Sequence, residues 1–327
     1  ALLLLLIAGI SMLIFFVMNG LLLFKLEAYN QIFSAQVKGV WLKRFFYFFI
    51  PALLIMYFVT PTKKNWWLFL FCGLTLGILS YLLVGGTRAN IALVIALFVF
   101  VGIAQGYISI PTLLGVGVAG ILAMFVLAMK RYNLDLADSN VIYYFLQLTR
   151  DTFSPWENLS QLLAYEDLEF QGMMPIIRDF YVYIPRALWE NRPDLVVNTA
   201  NYFTWDILNY YAGLAISPTL IGSYYIMGGI PFIVLGAIIT GLIIKGFDAL
   251  YFYAVKLPYI SRSAVWKVYC FANIFTITVL IREGIDAFIS RFVLFNLVFF
   301  TCYIGARLIV AGLRKAGFVS ITVKNVE

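Results

Sequence analysis

The stretch Val279–Phe292, VLIREGIDAFISRF, sets Arg282, Glu283, Asp286 and Arg291 between two long apolar runs. A charged side chain at the centre of a bilayer costs about 2.5 to 3.5 kcal/mol on insertion scales, so four together ask for partners or water. The stretch therefore reads as the boundary between two membrane spans. If it is helical, Arg282 and Asp286 stand four apart on one face, and Glu283 turns to another. The plain alternative is a structural salt bridge that ends the first of the two spans.

The composition around it fixes the solvent. Of 327 residues, 63% are hydrophobic and 12% charged, against roughly 25% charged in soluble domains. About 20 apolar residues cross a hydrocarbon core of about 30 Å, where a helix or a closed barrel must satisfy the backbone. The alternating ten-residue segments of a membrane barrel are absent. The expected fold is an all-α polytopic membrane protein with eight spans: Ala1 to Phe24, Phe45 to Thr60, Trp66 to Val84, Ala89 to Ala104, Tyr107 to Met129, Leu220 to Ile244, Ala264 to Ile281 and Phe292 to Ala311. This divides the chain into a five-span bundle (1–129), a large loop (130–216) and three further spans with a short tail (217–327). The chain opens inside an apolar run without Met or a basic leader, which reads as an internal start with earlier spans missing.

Several chemistries are excluded. There is no histidine, hence no Ser/His or Cys/His nucleophile and no His-based metal site. Cys72, Cys270 and Cys302 each sit alone in an apolar run and read as small core residues. Gly115–Gly120, GVGVAG, lies inside a span, where glycines let helices approach, and no strand precedes it as a phosphate loop requires. No metal, cofactor or nucleic-acid partner is expected.

Charge gathers in one place. Residues 130–213 hold 11 of the 16 acidic and 6 of the 23 basic residues, with 17 aromatics. A loop of that length and aromatic content reads as folded and functional. In FSPWENLSQLL, Ser154, Pro155 and Glu157 form a capping box, and Leu159, Leu162 and Leu163 give the helix an apolar face. RDFYVYIP, Arg178 to Pro185, alternates as an extended or surface-lying segment, and NYFTWDIL reads as a short aromatic helix. AISPTLIGS re-enters the membrane, with Ser217 as cap and Pro218 as first helical residue.

Parity then makes a prediction independent of orientation. With eight spans, the connections after spans one, three, five and seven share one side. That side collects Arg88 in GGTRAN, the large loop, and the REGIDAFISR turn. If the loop is outside, nine Lys and Arg lie inside and seven in the short outside connections, Lys43 and Arg44 among them, so the positive-inside margin is small.

Arginines at a membrane boundary, aromatic shelves and no histidine suit an anionic amphiphile, such as a lipid-linked phosphate or pyrophosphate bearing a sugar. Guanidinium groups bind phosphate bidentately, do not deprotonate, and stabilise a leaving pyrophosphate without a divalent ion. Carboxylates deprotonate an acceptor hydroxyl, and aromatic faces stack on sugar rings. The candidate binding residues are Arg88, Asn90, Arg150, Trp156, Arg178, Asp179, Arg282 and Arg291; the candidate catalytic carboxylates are Glu283, Asp286 and Asp151. Each has a plainer reading: Arg88 as an interfacial anchor, Arg150–Asp151 and Arg178–Asp179 as solvated pairs, and Glu157 as a cap. Arg282 and Arg291 would hold the pyrophosphate, with Glu283 or Asp286 as base or arginine orienter.

VGGTRANI, LTRDTFSPWENL, FQGMMPIIRDFYVYIP, NTANYFTW, GLAISPTLIGS and VLIREGIDAFISR together resemble the Wzy-type polymerases of the enterobacterial common antigen, in order along nearly the whole chain. The resemblance implies an inner-membrane glycosyltransferase with its site facing the periplasm. It would move a growing glycan from one undecaprenyl pyrophosphate onto another lipid-linked repeat unit, a trisaccharide, with a Wzz-type co-polymerase setting chain length. The related O-antigen ligases use a periplasmic histidine, which this sequence lacks; a carboxylate replaces it, or no strong base is needed. Arg186 falls outside the family pattern and reads as surface. Two other classes stand beside this one: a transporter or flippase of the lipid-linked sugar, and a non-catalytic scaffold. Transporters favour repeats and midplane ionisable residues, whereas here charge collects on one face.

Overall fold

The computed structural model describes residues 1–25, 37–85, 89–131, 155–184, 188–189, 197–211 and 215–316. Among them are helices α1 (Leu2–Asn19), α2 (Lys43–Phe46), α3 (Phe49–Val59), α4 (Lys63–Val84), α5 (Ala89–Ala104) and α6 (Ile110–Arg131). Three short helices belong to the large loop: α7 (Pro155–Leu163), α8 (Met174–Asp179) and α9 (Thr199–Tyr202). Three long ones close the chain: α10 (Thr219–Val255), α11 (Ile260–Glu283) and α12 (Ile285–Lys315). No β-strand occurs among the described residues, and the all-α membrane architecture stands.

Six stretches are long and apolar enough to cross a membrane: Leu2–Phe24, Val40–Val59, α4, α10, α11 and α12. They answer to the expected spans one to three and six to eight. The expected fourth and fifth spans fall on α5 and on Ile110–Gly120 in α6, which are apolar but shorter.

The main core joins α1, α3, α4 and α5 to α11 and α12 through aromatic side chains. Phe48 stacks on Phe295 with ring centres 5.7 Å apart, and Phe58 stacks on Phe271 at 5.5 Å. The buried Trp66 indole donates to the Phe98 carbonyl at 2.8 Å, so its polar end is satisfied inside the apolar layer.

Two glycine-centred breaks shape the end that carries the charges. At Gly284 the backbone takes φ 116 and ψ −179, outside any helix, and α11 reverses directly into α12. Tyr269 and Phe299 lie equally far along the chain on either side of Gly284, and their rings meet at 5.4 Å. The two helices are therefore an antiparallel hairpin pivoting on one residue. A β-carbon at Gly284 would sit 2.4 Å from Ser223 Cβ, which makes glycine a requirement of both sterics and dihedral. The break also overturns the expected side-by-side placement of Arg282 and Asp286. Four-residue adjacency needs continuous helix, and here it is interrupted between them.

The second break lies in α10, at Gly228 (φ −174) and Gly229 (φ 68). Residues 219–227 fold back on the helix beyond the break: the Tyr224 ring packs where a Gly236 side chain would be, and its hydroxyl lies 3.3 Å from Thr240 Oγ1. A straight helix would hold residues 224 and 240 about 24 Å apart. The freed carbonyls of Ile226 and Met227 accept from the backbone N–H groups of Gln171 and Gly172 at 3.0 and 2.9 Å. The spanning part is thus residues 230–255, begun by Pro231, about 39 Å of helix. The expected span from Leu220 to Ile244 begins ahead of the break because no charged residue separates the two halves.

Two local expectations change as well. Residues 178–183 are not extended: Arg178 and Asp179 end α8, and Phe180–Tyr183 continue as a 3-10 helix. Pro175 in the first turn of α8 favours this start. Ser217 does not head the helix with Pro218; α10 begins at Thr219, and the Ser217 hydroxyl donates to the Arg282 carbonyl. Ser154, the expected cap of α7, lies outside the described residues.

Candidate functional site at the Gly284 turn

The turn is built from α11 and α12 and covered by the large loop. Asp286, in the first turn of α12, is buried and accepts from the Thr199 amide at 2.8 Å and the Thr199 hydroxyl at 2.8 and 2.9 Å. The Ser223 hydroxyl approaches the same carboxylate at 3.4 Å. Four residues further along α12, the Ser290 hydroxyl donates to Asp179 of α8, whose other oxygen accepts from Asn198 Nδ2 at 2.9 Å. Asn198 in turn caps α9 through Asn201 N–H at 2.9 Å. Two buried carboxylates, one contributed by each side, thus fasten loop and hairpin together.

Donors from the loop and from α12 hold both carboxyl groups in place. Neither Asp286 nor Asp179 has the open side a general base requires. Glu283 differs. It is about one-third exposed and pairs with Arg291 at 2.6 Å, while Arg291 has Asp179 and Tyr183 within electrostatic reach. The pair crosses the Gly284 break and brings the end of α11 against the second turn of α12.

A further arginine reaches this place from the other end of the chain. Arg44 of α2 donates to the Tyr183 hydroxyl and lies over the Tyr183 ring, 4.7 Å from its centre. The Tyr183 hydroxyl passes its own hydrogen to the Ser290 carbonyl at 3.2 Å. Lys43 lies near enough to both Arg44 and Arg291 for the like charges to repel. The connection after the first span, the large loop and the turn after α11 therefore meet, as parity required.

The remaining candidates are distributed around this centre. Arg282 is exposed and adjoins the pair on α11; among the described residues its side chain has no ion pair. Arg178 reaches Gln171 Oε1 at 3.4 Å. Trp156 stands exposed at the start of α7. Asn90 donates to Ser80 Oγ at 2.7 Å and ties α5 to α4, a packing role within the bundle. Arg88, Arg150 and Asp151 lie outside the described residues. No group of three or more His, Cys, Asp or Glu that would hold a metal occurs among the described residues.

Of the residues the sequence singles out, the structure brings Glu283, Arg291, Asp179 and Asp286 together at the turn; Arg44, Tyr183, Thr199, Ser223 and Ser290 join them without having been candidates. Parity had placed Lys43 and Arg44 on the right face, yet they counted there only as topogenic charges. The hydroxyl partners carry no local pattern at all. Chemically, the turn offers cations at a membrane boundary, one accessible carboxylate, and aromatic rings at the edge. No solved structure matches the chain. The family model described as WzyE protein, O-antigen assembly polymerase, matches residues 1–326, and the chain belongs to that family of polysaccharide polymerases.

Proposed function

We propose that this polymerase acts at the periplasmic face of the inner membrane, with the Gly284 turn as its active centre. Its substrates are two undecaprenyl-pyrophosphate-linked glycans, and a Wzz-type co-polymerase sets the product length. An acceptor hydroxyl forms a bond to the anomeric carbon of the donor glycan. The bond from that carbon to the pyrophosphate oxygen breaks, and undecaprenyl pyrophosphate leaves. Arg291, with Arg282 next to its partner Glu283 on α11, takes the charge that grows on the leaving group, so no divalent ion is required. Glu283 orients Arg291 before substrate arrives and accepts the acceptor proton once the arginine turns to phosphate.

The observation that carries this reading is the Glu283–Arg291 pair, about one-third exposed at the turn between two spans while the neighbouring carboxylates are buried. The protein in liposomes, given two lipid-linked repeat units and no nucleotide sugar, is expected to yield longer lipid-linked glycans. Transport of the substrate without lengthening would overturn the proposal in favour of a flippase, and neither outcome would leave a scaffold.

A further inference from the structure

We propose that the outer face of α8, made of Met173, Met174 and Ile177 with Phe170 before them, is sunk in the acyl layer of the membrane. The large loop is then anchored in the bilayer itself, at the height of the Gly284 turn, and not only on the helical bundle. This goes beyond the reaction and is independent of which residues carry it out.

The sequence changes character sharply here. Glu166, Asp167 and Glu169 are exposed, and then no charge occurs from Phe170 to Ile177. The stretch is far too short to span, since crossing takes about 20 residues. Phe170, Met173, Met174 and Ile177 are each between 41% and 59% exposed. Ile177 stands four residues after Met173 and three after Met174, so the three share one side of the helical turn. On its inner side α8 buries Pro175 and Asp179, and Ile176 packs on the cluster that holds Leu280, Ile285 and Phe288.

Height decides what meets the outer side. The 31 residues of α12 make about 46 Å of helix against a hydrocarbon core of about 30 Å, so a centred helix projects about 8 Å at each end. Asp179 accepts from Ser290, which lies about 9 Å along α12 from Gly284. The other end of the stretch is pinned at the α10 break, where the Gln171 and Gly172 N–H groups donate to Ile226 and Met227. There the Phe170 ring covers Gly229, 3.1 Å from where a β-carbon would stand. Both ends are therefore held at the boundary, against α12 and against the start of the spanning part of α10, with the uncharged face turned outward. At that height the surroundings of a spanning helix are acyl chains. Two methionines suit a fluid layer, because flexible thioethers adapt to neighbours without fixed shape, and the acids just before Phe170 mark the water side.

The test uses the whole chain in nanodiscs of phosphatidylethanolamine and phosphatidylglycerol, with Cys72, Cys270 and Cys302 replaced by alanine. A single nitroxide is attached through Met173→Cys or Ile177→Cys. Glu166→Cys gives the water reference, and Leu297→Cys, exposed well inside α12, gives the lipid reference. Collisional relaxation is measured with oxygen, which concentrates among acyl chains, and with a nickel chelate, which stays in water; thermal melting checks that each variant is folded. Both α8 labels are expected to follow Leu297 and to be several-fold less open to the chelate than the Glu166 label. Labels that follow Glu166 instead would refute the proposal. Labels shielded from both reagents would mean that protein, a second copy or another chain, covers the face, and would overturn it equally. A second measurement keeps the native cysteines: a benzophenone amino acid at Met173 should cross-link to phospholipid, and cross-links to protein alone would contradict the acyl-layer placement.

Discussion

Asp286 holds Thr199 by both its backbone amide and its hydroxyl, across 87 positions of sequence, inside a buried contact. This joint fixes the large loop on the α11–α12 hairpin. Asp286→Ala should leave the buried Thr199 amide without an acceptor and its hydroxyl with only the 3.4 Å contact to Ser223 Oγ, a loss of about 1–3 kcal/mol for the amide alone. The expected outcome is a lower melting temperature in detergent and faster proteolysis of the loop. Thr199→Ser keeps the hydroxyl and should remain close to the parent; an unchanged melting temperature in Asp286→Ala would refute the joint.

Gly284 carries two constraints at once, its dihedral and the contact with Ser223. Gly284→Ala should destabilise the protein by about 3 kcal/mol or more. Ser223→Gly in the same chain removes the clash but leaves the φ penalty, so the double variant should recover part of the loss. Additive effects in a double-mutant cycle would contradict the contact.

The Glu283–Arg291 pair can be divided into charge and shape. Glu283→Gln should preserve the fold and reduce polymer formation by roughly 10² or more, the range for loss of a positioned general base. Arg291→Lys should not restore activity, because an ammonium lacks the planar fork. Polymer length and amount, measured at equal protein level, decide the matter. Normal polymer in both variants would remove the turn as the active centre.

The fold-back of α10 makes a separate prediction. Gly236→Leu places a side chain where the Tyr224 ring lies, with the first added carbon already 2.3 Å from it. The residue 219–227 arm should be displaced and the protein destabilised by about 1–3 kcal/mol. Tyr224→Ala in the same background should relieve that clash. A cysteine pair at residues 224 and 240 provides the geometric check: it should cross-link only if the arm folds back.

Much of this was legible in apolar runs and in parity. The runs matched six of the eight expected spans because a bilayer demands helices of a minimum length, and parity placed the loop, Lys43, Arg44 and the REGID turn on one side before any contact was known. What escaped was backbone conformation inside uniformly apolar segments. No charged residue falls within Met227–Pro231, so the only mark of the break is the glycine pair shortly before the proline. Likewise the Arg282–Asp286 spacing suggested adjacency only while Gly284 was taken as helical. The fastening of Asp286 by Thr199 and of Arg44 by Tyr183 depends on residues far apart in sequence, and no period or motif links them.

The carbonyls of Ile226 and Met227, exposed by the α10 break, find their donors in Gln171 and Gly172. Ribosomal synthesis runs from the amino end, so those donors leave the translocation machinery before the acceptors that need them. The arm of residues 219–227 can therefore dock as it emerges, onto a loop already waiting on its side of the bilayer. A circular permutation that made residues 171–172 last would reverse that order. It would leave the carbonyls of the buried Ile226 and Met227 without donors until the end of synthesis, and biogenesis would suffer even though every contact of the finished protein were still available.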